Sequence, residues 1–377
     1  MHVILVSDFL AKIRRWFSNL NPWYFISKMM LRFNAREAAL KYLERALRRQ
    51  PERKELHIEA GELYLHKGQL EEAEWHIRKV NTTLRPGQFI KWLEETLTKD
   101  PGTMFNHKST VLLTLGNWYL EKGDPAKALH FYQCMPPKYR MSAEVLNNQG
   151  LCLLQLNRVS EALNCFKQAA RLSSSPEIKF NLGLTYSKLG SYEEALKAYE
   201  TAKRDGFTST ELLCNMGFTL FHLGQYDKAI VCYEEARKKE PLEVIILSDL
   251  AACYRKVGRY NEAVSCYEEA LRKAPRDATI YNNYALCLDA LAKHKEALIH
   301  YERAIELDPD NVVYQLNRAS SLAELGKCQE AMAVCNQLLE LNPANRLAWE
   351  MKAYLQVKLG KSKEAVDSYN RSLGLTG

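Results

Sequence analysis

The 377-residue sequence has no apolar run approaching the roughly eighteen residues of a membrane-spanning helix. Its longest N-terminal apolar stretch, Val3-Ile4-Leu5-Val6, is too short for a secretory core and is interrupted by Asp8. Glycine (17) and proline (12) are scarce, which excludes low-complexity and linker-like composition. No Cys-x-x-Cys pair occurs among the ten cysteines, so zinc-ribbon and thioredoxin-type chemistry has no scaffold. Ten cysteines behind no secretion signal point to a reducing, cytoplasmic setting. No His-Glu-x-x-His and no Gly-x-Ser-x-Gly is present. Gly360-Lys361-Ser362 has Leu355 where a phosphate loop needs its first glycine. These absences disfavour an enzyme, and no cofactor or metal is expected.

What the sequence does have is a period. Ala128, Ala162, Ala195, Ala229, Ala263, Ala297, Ala331 and Ala365 follow one another at steps of 34 residues, with a single 33, and Ala73 extends the series upstream. Twelve residues before each alanine stands a second small residue: Gly61, Gly116, Gly150, Gly183, Gly217, Ala251, Ala285, Ala319 and Ala353. Five before it is a turn residue, glycine except for Asn157 and Ala292. Four after it is a large side chain, for example Tyr132, Phe166, Tyr199, Tyr233, Tyr267 and Tyr301. Small residues let two helices approach, and the large side chain fills the space beside them. One such helix pair cannot bury its apolar stripe alone; stacked pairs can.

On these residues the chain closely resembles the tetratricopeptide repeat (TPR) family over about residues 54–377. The resemblance implies an all-α fold, a right-handed superhelical solenoid of helix-turn-helix units. The expected organisation is a basic N-terminal segment with a degenerate half repeat (1–53), a first repeat (54–87), an inserted helix and loop (88–108), and eight consecutive repeats (109–377). Phe9 to Leu20 reads as an amphipathic helix. Without a polar helix after the ninth repeat, the expectation is that the last helix is itself polar enough, that this end docks on something, or that the chain is a fragment.

Within the first helix of each unit, two residues before the small residue, stand Asn148, Asn181, Asn215, Asp249, Asn283 and Asn317. Asparagine is a mediocre helix former, so its recurrence away from a cap suggests a use. A carboxamide offers a donor and an acceptor together, which matches the peptide group of an extended chain. In TPR proteins the first helices line the concave groove, and the ladder resembles that of the O-linked N-acetylglucosamine transferase repeats, where such residues hold a ligand's backbone. The competing reading is that these amides bond only neighbouring helices or water. Leu184 and Phe218, one residue after the small position, add an apolar strip; Arg255, with Lys256 and Lys188, adds positive charge. The lysine position of carboxylate-clamp TPR domains carries no lysine here; it reads Leu113, Asn147, Phe180, Cys214, Ser248, Asn282 and Leu316.

The net charge of +7 is not spread along the chain: residues 1–54 hold 12 Lys or Arg against 4 Asp or Glu, and the remainder is nearly neutral. That segment reads either as a cap on the first repeat or as a contact for an anionic partner or membrane surface. Nucleic acid is not expected, because the repeat body has no basic stripe. The sequence therefore points to a non-enzymatic interaction scaffold that binds an extended peptide in its groove. The alternatives are a structural subunit of a larger assembly and a peripheral membrane adaptor acting through the N-terminal helix.

Overall fold

The computed structural model describes residues 21–32, 35–85, 87–99, 108–240 and 243–375. The amphipathic stretch Phe9–Leu20 and the last two residues lie outside them. The described residues form 22 α-helices and no strand. The chain divides into two compact units, residues 1–174 and 175–377.

In the first unit, α1 (Pro22–Arg32) pairs with α2 (Arg36–Arg49), and α3 (Lys54–His66) with α4 (Leu70–Val80). The added helix α5 (Phe89–Lys99) follows, then the pair α6 (Lys108–Glu121) and α7 (Pro125–Gln133). A single turn, α8 (Pro137–Arg140), leads to the pair α9 (Ala143–Gln155) and α10 (Val159–Leu172). The degenerate N-terminal segment thus contributes a whole helix pair. Some of its cations lie over its own aromatics, Arg45 over Trp23 (5.2 Å) and Tyr42 (5.5 Å) and Arg49 over Trp23, and Lys28 pairs with Glu59 of α3. Helix α5 buries Phe89, Leu93 and Leu97, and its Glu94 accepts a hydrogen bond from the Tyr119 hydroxyl of α6. Beyond it α3 packs directly on α6, where the Thr114 hydroxyl donates to the Leu65 carbonyl at 2.9 Å.

The second unit is a regular stack of six pairs. They are α11 (Pro176–Lys188) with α12 (Tyr192–Arg204), α13 (Thr210–His222) with α14 (Tyr226–Lys239), and α15 (Val244–Lys256) with α16 (Tyr260–Lys273). The stack continues with α17 (Ala278–Ala290) and α18 (His294–Leu307), α19 (Val312–Glu324) and α20 (Cys328–Leu341), and α21 (Arg346–Lys358) and α22 (Ser362–Ser372). One apolar core runs from Phe180 to Tyr301 without a break between pairs.

The periodic residues explain the geometry. The register alanines from Ala73 to Ala331 are fully buried, as are Tyr132, Phe166, Tyr199 and Tyr301. The small residue of each first helix faces the large one of the second: a β-carbon on Gly183 or Gly217 would stand 2.6 Å from the ring of Tyr199 or Tyr233. All the turn residues adopt positive φ, including Asn157 and Ala292, both at 58°. Cysteines at the recurring positions serve as small core residues; Cys152, Cys253, Cys287 and Cys335 are fully buried, and all ten cysteines are free thiols. Burial pushes the Cys152 and Cys253 thiols up to about 12, far from a nucleophile's range.

Candidate functional site

The amide ladder lies on the first helices, and the structure gives its members different partners. In the first unit Asn148 donates to the Oδ1 of Asn117 at 3.0 Å, and that same oxygen accepts the Tyr132 hydroxyl at 2.6 Å. Asn117 also lines a cavity of about 270 Å³ between α3, α6 and α9, together with Thr110, Trp118 and Glu144.

The other five members belong to the second unit. Asn181 is buried (5% exposed) and partnered. Asn215 is half-buried and turns its amide onto the Glu211 carbonyl of its own helix at 3.0 Å. Asp249 hydrogen-bonds the Tyr233 hydroxyl of the preceding pair, and burial holds its carboxyl above the usual carboxylate range despite that bond. Asn317 donates to Asn282 Oδ1 of the adjacent first helix at 2.8 Å. Asn283 is half-buried and has no hydrogen-bond partner among the described residues. Within the second unit the ladder is therefore a series of polar groups in which an amide-to-amide link, Asn317 to Asn282, coexists with unspent capacity at Asn283.

The apolar positions differ likewise. Leu184 is half-buried, whereas Phe218 is 42% exposed. Phe218 belongs to a cluster not legible from the ladder alone: its ring lies 4.4 Å from His222, and His222 stacks on Tyr192 of α12 at 4.7 Å and 7°. Tyr192 repeats as Tyr226 and Tyr260 three residues before each register alanine, a signal that a search of the second helices would have found. Arg255 is not a free groove cation. It is half-buried, its Nε has no hydrogen-bond partner, and its guanidinium lies against the buried Tyr267 hydroxyl, opposing the upward shift that burial imposes on that group.

Among the described residues no group of three or more His, Cys, Asp or Glu side chains could hold a metal ion. No helix of these residues is long and apolar enough to cross a membrane.

Helix pairs of one length, locked by a small residue against a ring and stacked through a shared core, define a tetratricopeptide repeat solenoid. Models of the tetratricopeptide repeat match residues 31–79, 140–207, 210–241, 242–310 and 316–376, and the chain belongs to this family. Among curated proteins it is similar to the human (Homo sapiens) intraflagellar transport protein 88 homolog, at 25% identity over 102 residues. That match takes in 26% of this chain and spans only 12% of the relative's length. Among solved structures, a tetratricopeptide repeat protein from Parabacteroides merdae is 18% identical with a TM-score of 0.48, covering 66% of this chain and 98% of that one. YrrB, described as a TPR protein with an unusual peptide-binding site, is 21% identical with a TM-score of 0.44, covering 50% of this chain and 95% of that one.

Proposed function

We propose that this protein is a non-enzymatic interaction scaffold whose first-helix face in the second unit binds an extended peptide. Asn215, Asp249, Asn283 and Asn317 contact its backbone, and Leu184 and Phe218 receive its side chains. The observation that carries this reading is that first helices two repeats apart leave an amide without a partner, Asn283, and a ring 42% exposed, Phe218. The amide atoms of Asn283 reach solvent and are spent on no protein group, which leaves a donor and an acceptor for a ligand's peptide group, and exposed apolar groups rimmed by polar ones mark contact surfaces. Asn148 sits at the same register in the first unit, where its bond to Asn117 serves the local packing. Asn181, buried, supports the face from beneath. Arg255 braces Tyr267 and contributes positive potential rather than a direct contact. The ten free thiols suit a reducing compartment.

The test is substitution of Asn215, Asn283 and Asn317 by alanine together. Peptide capture from a random display library should be lost while helicity and the thermal midpoint stay close to wild type. Capture undiminished by the triple substitution refutes the assignment.

A further inference from the structure

The last turns of three consecutive first helices in the second unit carry Lys188, His222 and Lys256, each five residues after the packed small residue. All three are exposed, and neither lysine makes an ion pair among the described residues. A cation at a helix C-terminus is favoured by the helix dipole wherever it occurs. The dipole alone does not explain this set, because the next two helices place Ala290 and Glu324 at the same position, and Glu324 is already engaged by Lys358 and Tyr354. Of the acids of the same helices, Glu177 and Glu211 stand at the opposite, N-terminal ends of α11 and α13, and Asp249, midway along α15, is half-buried and bonded to Tyr233. Lys358 returns at this position in the last pair, where it is spent on Glu324, so the lysines left without an ion pair here are Lys188 and Lys256, flanking His222.

The middle of those three repeats holds the exposed aromatic cluster. Phe218, His222 and Tyr192 meet at 4.4–6.4 Å, bridging α12 and α13, with Lys188 one repeat before and Lys256 one repeat after. Neighbouring first helices touch, so the step between them is about 10 Å. An extended chain advances about 3.3 Å per residue, or about three residues per repeat.

Resting on the groove reading above, we infer that the partner is an acidic segment with a fixed register. An aromatic or long aliphatic side chain seats against Phe218, Tyr192 and His222. Carboxylates three residues before and three residues after it lie at Lys188 and Lys256. The apolar anchor supplies desolvated contact, and the flanking charges set the register and exclude basic segments.

The experiment is selection of random 12-residue peptides displayed on phage against the full chain. Binding of fluorescein-labelled consensus peptides is then measured by anisotropy. The expected consensus has acids at −3 and +3 around an aromatic or aliphatic residue. Its affinity should fall about tenfold in the Lys188→Glu/Lys256→Glu variant, as two exposed charge contacts allow, and should weaken with added salt. A neutral or basic consensus whose binding depends on Phe218, or an acidic one indifferent to the lysine variant, overturns the inference and leaves the groove reading standing. No enrichment of any peptide overturns both.

Discussion

The contact between Gly217 and Tyr233 tests how tightly the stack is set. A β-carbon at 217 would lie 2.6 Å from the Tyr233 ring, where carbon atoms rest at about 3.5–4.0 Å. Tyr233 is 1% exposed and its hydroxyl is held by Asp249 of the next pair, so the ring has nowhere to slide. Overpacking of this kind costs about 1–3 kcal/mol, and the better helix propensity of alanine returns about 1 kcal/mol. Gly217→Ala should therefore lower stability by about 0–2 kcal/mol in net terms. With Tyr233→Leu as the background the clash is gone, and the same substitution should become neutral or stabilising by up to about 1 kcal/mol. The cycle predicts a coupling of about 2 kcal/mol, read from urea midpoints and slopes, with hydrogen exchange locating the loss to α13 and α14. Ala251 and Ala285, both fully buried, hold the same register position opposite Tyr267 and Tyr301, so those pairs accommodate a β-carbon where this one carries glycine. If Gly217→Ala costs the same in both backgrounds, the ring contact does not govern the spacing.

Other expectations follow from single residues. The Tyr199 hydroxyl is buried without a partner, so Tyr199→Phe should be neutral or stabilising, while Tyr233→Phe strips a buried carboxyl of its donor and should cost about 1–3 kcal/mol in chemical denaturation. Ala292 holds φ at 58°, where a β-carbon costs about 1–2 kcal/mol; Ala292→Gly, after about 0.5–1 kcal/mol of chain entropy, should raise the melting temperature, and equal or lower stability would refute the strain. His76 is pushed down to about 4, first by burial and then by His57, whose Nδ1 lies 2.9 Å from its own. Its folded value lies below its unfolded one, so its contribution is full above about pH 6.5 and is lost as pH falls toward 4, at up to about 1.4 kcal/mol per pH unit. Hydrogen exchange in α3 and α4 should show that slope, and His76→Gln should flatten it.

The fold was legible because its determinants are local and periodic: alanine, small residue, turn and ring recur at fixed offsets, and each does one geometric job. Asn157 and Ala292 fill the glycine turn position, yet both take the left-handed conformation, so the repeat imposes the turn rather than the residue. The helix pair α1–α2 was only half visible, because Trp23, Tyr24 and the surrounding arginines replace the usual small and aromatic pattern with stacking and cation–π contacts. The ladder was visible as a line, but not the fate of each member. Whether an amide faces solvent, its own helix or the next one depends on side-chain rotamers, which a spacing does not encode. The Phe218 cluster was missed for the same reason, since Tyr192 comes from a second helix.

The buried tyrosines give that division of the ladder a cause. Each second-helix ring passes beneath a first helix, and burying its hydroxyl is costly unless a polar residue meets it. Tyr132 takes Asn117, Tyr233 takes Asp249, Tyr267 faces Arg255, and Tyr301 takes Asp289 at 2.8 Å. Asp289 is further committed to His294 and to Ser321 of the next pair. A polar residue claimed in this way has less hydrogen-bonding capacity left to offer a ligand. On α17 the claim falls on Asp289, and Asn283 is left with its donor and acceptor unspent. On α15 it falls on Asp249, which breaks the run of amides with a group that burial already strains toward its neutral form. Under the proposed peptide-binding reading, this face would hold a ligand unevenly: its free hydrogen-bonding capacity is concentrated at Asn283, where the tyrosine below has found its partner elsewhere, and exposed Phe218 lies on the other side of Asp249.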